Sequence, residues 1–199
     1  MNEFEKKEKE VIDILVAKSG DLTNSLSVLE KTGENHLKSQ TVLLMVMIDI
    51  FSRFELIFEG KNEKQVKNSA RFIGWLNKYA FTDQNEDYKN YKQFINCSAE
   101  QTYQIRNALL HFYGLPPRTK DEAICYINGQ MTKEKREEFL KKNMRVVDVR
   151  SLENVIRQGV LLQFEYLKRI QKEDSKKYIS GILGMYEITK WEGTKTINI

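Results

Sequence analysis

Residues 40–59 read QTVLLMVMIDIFSRFELIFE. Leu44, Met47, Ile48, Phe51, Phe54 and Phe58 recur at three- and four-residue steps, which places them on one apolar stripe of an α-helix. Gly60 follows, at the position where glycine closes helices. One residue interrupts the apolar run: Asp49, between Ile48 and Ile50. An acid there is either the solvent-side residue of an amphipathic helix or the partner of Arg106 across a helical bundle.

The neighbouring segments carry the same period. Residues 3–18 predict a first helix with Phe4, Val11, Ile12 and Leu15 on one side, ended by Gly20, and 21–31 predict a further short helical turn. Asn62 and Gln65 resemble a capping box opening a helix that buries Val66, Ala70, Ile73, Leu76 and Ala80. Trp75 on that helix is expected in the core rather than as a stacking platform. After polar residues 82–87 a long run reaches Phe112, with Tyr91, Phe94, Ile95, Thr102, Ile105 and Leu109 in step, split near Cys97 to Glu100. Past Pro117 the pattern changes. Two β-like runs, Ala123–Ile127 closed by Asn128-Gly129 and Arg145–Val149, flank a charged helix that Thr132 caps. Ser151 is expected to cap a helix to about Ile170, and Asp174 or Ser175 to open a last one; the terminal WEGTKTINI has no helical pattern. The fold class is mainly α with a small β-hairpin-like element.

Composition sets outer bounds. A chain of 199 residues fits one large domain, or one domain with an appendage, and can bury a sizeable core, and 10 Phe with 9 Tyr argue against disorder. The formal charge of +4 permits a polyanionic partner without demanding one. The first ten residues, MNEFEKKEKE, lack an apolar signal core, and the run Val42–Ile48 falls far short of the ~20 residues that cross a bilayer. Cys97 and Cys125 match no metal spacing, and there are only 2 histidines. A cytoplasmic, reduced protein with no metal and no cofactor is expected. No Walker motif, other Gly-rich phosphate loop or GxSxG elbow occurs, which argues against nucleotide and serine hydrolysis.

The chemistry-bearing residues gather at the end of the long run, QIRNALLHFYGLPP (residues 104–117). On a wheel at ~100° per residue with Ile105 at the origin, Ile105, Leu109 and Phe112 cluster within roughly 40° of that origin. Arg106, Leu110 and Tyr113 lie on a flank at roughly 80–140°, and Asn107 with His111 at roughly 200–240°. His111 therefore points away from the helix's own core, toward solvent, a cleft or a second subunit. Arginine is a permanent cation suited to phosphate, histidine exchanges protons near neutral pH, and Asn107 adds a donor and an acceptor that orient either one. Acid–base cleavage generally needs two proton-transfer groups, and His36 is remote in sequence, so a symmetric dimer is the natural source of a second set.

Arg106, Asn107 and His111, with Tyr113 two residues on, resemble the signature of the HEPN superfamily: an arginine, a polar residue, a short spacer and a histidine, in the Arg-x4-His-x-Tyr form of HEPN toxins. The resemblance implies a HEPN-like four-helix bundle core over 40–114, an N-terminal helical segment (1–39) packing on it, and a family-specific helical extension over 115–199. It implies a homodimer with facing motifs, and a metal-independent endoribonuclease of toxin–antitoxin, phage-defence or RNA-processing type. Its product would be a 2′,3′-cyclic phosphate. His111 would be the acid–base group, Arg106 the phosphate-binding group and Asn107 the residue that positions the histidine. Asp49 would be a supporting acid, and Tyr113 would correspond to the tyrosine that a nucleotidyltransferase antitoxin adenylylates in some HEPN toxins. The alternatives are a non-catalytic HEPN-like module that binds RNA or a partner protein, and a structural helical dimerisation domain. Candidate RNA contacts are Arg118, Lys120 and Arg136, the last within Lys133–Arg145, where six basic residues accompany three glutamates. The plainer reading of that segment is a surface helix laced with Glu–Lys pairs.

Overall fold

In chain order the helices and strands are α1 (Glu3–Lys31), α2 (Leu37–Phe58), α3 (Asn68–Trp75) running into a π-helical turn (Leu76–Ala80), α4 (Glu86–Ile95), α5 (Ala99–Phe112), β1 (Ala123–Ile127), α6 (Lys133–Lys141), β2 (Met144–Asp148), α7 (Val149–Glu173) and α8 (Ser175–Gly193). The computed structural model describes residues 1–31, 36–61, 65–95, 97–112, 123–129, 132–142 and 144–193. The architecture is mainly α with a small two-stranded sheet. Among the described residues no helix is long and apolar enough to cross a membrane.

The stripe on residues 40–59 becomes the central helix. α2 packs against α1, α3, α5, α7 and α8, and its Leu44, Met47, Ile48, Phe51 and Phe58 are buried. Gly60 has φ 66°. Gly60 N–H donates to the Ile57 carbonyl (2.9 Å) and Lys61 N–H to the Leu56 carbonyl (3.0 Å). That crossed pair is a Schellman closure, which needs a residue at ease with positive φ. α7 lies across α2, α4 and the π turn, and α8 packs on α1, α2 and α7. Both supply residues (Val155, Ile156, Val160, Ile182, Met185) to the same core as α2.

Several expectations need correction. α1 continues through Gly20; a mid-helix glycine costs about 1 kcal/mol, which burial of Leu15 and Leu26 on either side offsets. The helix after α2 starts at Asn68 with Lys67 at its N-cap and no side-chain cap; Gln65 lies outside it, and Asn62 lies outside the described residues. Its buried side is Arg71, Phe72, Trp75, Leu76, Tyr79 and Ala80, whereas Ala70 is exposed. Residues 71, 72, 75, 76 and 79 follow at three- and four-residue steps, so the face that carries the large rings is the buried one. Phe81 N–H donates to the Leu76 carbonyl (2.6 Å), the five-residue step of a π turn. The long run splits into α4 and α5 where expected. The strands pair, but in parallel, Ala123 opposite Met144 through Ile127 opposite Asp148, and not as a hairpin. A helix of 9 residues, α6, lies between them, so the link is a β-α-β crossover. The cap of α7 is Asp148, not Ser151: its carboxylate accepts from Arg150 and Ser151 N–H, and from the Ser151 hydroxyl at 2.9 Å. α8 reaches Gly193, so part of the terminal segment is helical after all.

Two close approaches fix how α7 and α8 sit. A Cβ at Gly159 would lie 3.2 Å from the Trp75 ring and from the Tyr79 carbonyl, so α7 rests directly on the π turn. Buried Asn85 ties the same corner, donating to the carbonyls of Tyr79 (3.1 Å) and Val155 (2.9 Å) and accepting from Tyr88 N–H (3.0 Å) at the start of α4. On α8, a Cβ at Gly181 would stand 2.5–2.9 Å from the enclosed Phe58 ring. Gly181→Ala is therefore expected to destabilise the fold by about 1–3 kcal/mol through overpacking, despite alanine's better helix propensity. Urea unfolding checks this, and an unchanged or raised stability would show that α8 is not held that closely.

Candidate functional site

Asp49 stands on α2 one residue past Ile48, which is fully buried. At that depth a carboxylate loses much of its hydration and needs partners. Two helices supply them. From α5, Arg106 donates both Nε–H (3.0 Å) and Nη2–H (2.9 Å) to Asp49 Oδ2. From α3, Arg71 Nη2 reaches the other oxygen, Oδ1, at 3.5 Å. The side chains of Arg71, Arg106 and Asp49 are 4%, 15% and 20% exposed, so the cluster is sunk between the helices and Arg106 is the less buried of its two arginines.

Arg106 sits on the flank that its wheel position gives it, beside buried Ile105 and Leu109. Its guanidinium carbon lies 5.9 Å from the centre of the Tyr103 ring, which packs edge-on to Phe72 at 5.5 Å. Its Nη1–H donates to Asn107 Oδ1 at 3.1 Å. Among the described residues Arg106 thus bonds Asp49 through Nε and Nη2 and Asn107 through Nη1, and a guanidinium is by its planar fork suited to bidentate recognition of an oxyanion. His111 follows Asn107 on α5 by four residues, one helical turn, which makes the two neighbours on the helix surface; its side chain lies outside the described residues.

The expected supporting acid thus meets the expected arginine. Tyr113, Arg118 and Lys120 lie outside the described residues, as does the side chain of Arg136, whose backbone is on α6. Also on α6, exposed Glu138 pairs with Lys142 at 2.6 Å, in keeping with the plainer reading of that helix. Arg71 is the member that sequence reading missed. Its signal was present: Arg71, Phe72, Trp75, Leu76 and Tyr79 follow helical spacing, which puts a cation on the aromatic face of α3. Compared with protein-family models, curated proteins and solved structures, the chain matches none. Among the described residues no three of His, Cys, Asp and Glu converge as metal ligands would.

A second acid on α2 organises a separate network. Glu55 accepts from Lys78, from the Tyr79 hydroxyl (2.6 Å) and from Gln163 (3.4 Å). Gln163 in turn accepts from the Trp75 indole (2.9 Å) and donates to the Phe51 carbonyl (3.0 Å), joining α2, the π turn and α7. Each polar group here has a partner inside the fold, which marks a structural network rather than a waiting site. Burial pushes the Tyr79 phenol well above its ordinary value, and the charge and hydrogen bond of Glu55 push the same way. Burial pulls the Lys78 ammonium down, but the hydrogen bond and charge of Glu55 outweigh it and the net shift is upward.

Two measurements follow from these clusters. Asp49→Ala leaves two sunken arginines without their shared anion and is expected to cost about 3 kcal/mol of unfolding free energy; a cost near zero in urea melts would mean the pair is solvated. The folded state keeps the Tyr79 proton at a pH where the unfolded chain, with a phenol near 10.0, releases it. The stability from this group is therefore complete below that pH and lost as pH rises toward the folded value. Denaturation midpoints between pH 8 and 11 should fall less steeply in Tyr79→Phe than in the wild type, and equal slopes would contradict the assignment.

Proposed function

We propose that this protein is a HEPN-type, metal-independent endoribonuclease whose active site is shared between two copies of the chain. The observation that carries the reading is the anchored Arg106: Asp49 holds one edge of its guanidinium, Asn107 contacts another, and His111 follows one turn later on the same helix. A cation fixed in this way is preorganised for a phosphodiester, because it needs no reordering when charge develops on the non-bridging oxygens. A histidine one turn away takes the 2′-hydroxyl proton as that oxygen attacks phosphorus. The 5′-oxygen then leaves, gaining a proton from a second acid–base group, and the chain ends in a 2′,3′-cyclic phosphate. The second group comes from the His111 of the facing copy. The proposed setting is a toxin–antitoxin or phage-defence system, with RNA as the substrate class and Arg118, Lys120 and Arg136 as outlying phosphate contacts.

A second reading is a non-catalytic module that binds RNA or a partner protein, and one observation favours it: Asp49 already neutralises the arginine that a phosphate would use. The two readings separate in an RNA cleavage assay with EDTA. The nuclease reading expects wild-type cleavage in the presence of chelator and a loss of at least about 100-fold in His111→Ala and in Arg106→Ala. Binding of RNA without cleavage by the wild type, or equal cleavage by all three proteins, would remove it.

A further inference from the structure

Asp49 divides its two oxygens between two arginines of different burial. Oδ2 lies along the Nε–Nη2 edge of Arg106, and Oδ1 faces Arg71. An aspartate paired on one side only can rotate about its terminal torsion, which is broad and roughly two-fold. It would then exchange oxygens and swing the guanidinium with it. A second cation on the opposite oxygen removes that freedom. Arg71 is suited to the task because its side chain is only 4% exposed and leaves a helix whose Phe72 and Trp75 are buried in the core, so its own position is set by packing. We propose that Arg71 is a positioning residue for the Arg106 site: by holding Asp49 Oδ1 it keeps Oδ2 aimed at Arg106 and so fixes the orientation of the Arg106 guanidinium. The proposal deepens the nuclease reading and rests on it for the role of Arg106 toward a phosphate.

The chemistry divides the roles. Arg106, at 15% exposure, is the group within reach of a phosphate. Arg71 acts through Asp49 and touches no substrate. Losing Arg71 should therefore loosen Arg106 without removing any substrate contact, and lysine, which keeps the charge but lacks the planar fork, should restore only part of the order.

The test uses the full chain in three forms: wild type, Arg71→Lys and Arg71→Met. Side-chain nitrogen–proton NMR follows hydrogen exchange of the Arg106 Nε–H, assigned by its loss in Arg106→Lys. Exchange is expected to be about tenfold faster in Arg71→Met and intermediate in Arg71→Lys, because exchange reports local opening. RNA cleavage in EDTA is expected to fall by about 10- to 100-fold in kcat/KM for Arg71→Met, the scale of a misplaced catalytic group, with partial recovery in Arg71→Lys. A merely structural Arg71 would lower the unfolding midpoint and leave Arg106 exchange as in the wild type; that result overturns the proposal. If Arg71→Met does not fold, wild-type exchange in Arg71→Lys overturns it alone. A wild type that cleaves no RNA removes the nuclease reading, and the exchange experiment still decides whether Arg71 positions Arg106.

Discussion

A carboxylate set into the apolar side of a central helix has to be neutralised where it stands, and in this protein the neighbouring helices answer to that need. Asp49 is four-fifths buried on α2, which packs against α1, α3, α5, α7 and α8. The cations come to it. Arg106 on α5 and Arg71 on α3 both end on its oxygens, and α2, α3 and α5 are thereby held at one point by charge as well as by packing. Desolvated ion pairs of this kind add little stability over well-packed apolar residues. What they add is direction, because a guanidinium held along one edge has its remaining donors fixed in space.

That direction separates the two acid clusters of α2. Around Glu55 the lysine, the phenol and the amide close on one another and on backbone carbonyls, and the network joins α2 to α7 through the π turn. Around Asp49 the partners are two arginines, and one of them, Arg106, also bonds Asn107, with His111 a turn further along the same helix. The same helix α2 thus carries one network that joins it to α7 and one that meets the chain's Arg-Asn-x3-His motif on α5.

Much of the architecture was legible in residue spacing. The stripe from Leu44 to Phe58, the closure at Gly60, the break between α4 and α5 and the core place of Trp75 follow from periodicity, backbone freedom and ring burial. The partnership of Asp49 with Arg106 was legible as one of two readings, since an acid inside an apolar run has few other uses. Elsewhere tertiary packing overruled the local signal. Gly20 does not end α1, because core contacts lie on both sides of it. Two stripes at helical spacing run along α3, and the one through Val66, Ala70 and Ile73 drew attention from the one that is buried, which carries Arg71, Phe72 and Trp75. The parallel pairing of β1 and β2 depends on where α6 packs, and strand propensity carries no information on that. Asp148 was read inside a strand that ran on to Val149, whereas it ends β2 and its carboxylate caps the first turn of α7.

The measurement that bears most directly on this account is a double-mutant cycle between Asp49 and Arg106, with Asp49→Asn, Arg106→Gln and the double variant compared by urea unfolding. If the pair is the desolvated anchor described above, the two changes are strongly non-additive, with a coupling of about 1–3 kcal/mol. Additivity within about 0.5 kcal/mol would mean that Asp49 does not hold Arg106, and the built site would then be reduced to a motif on a helix.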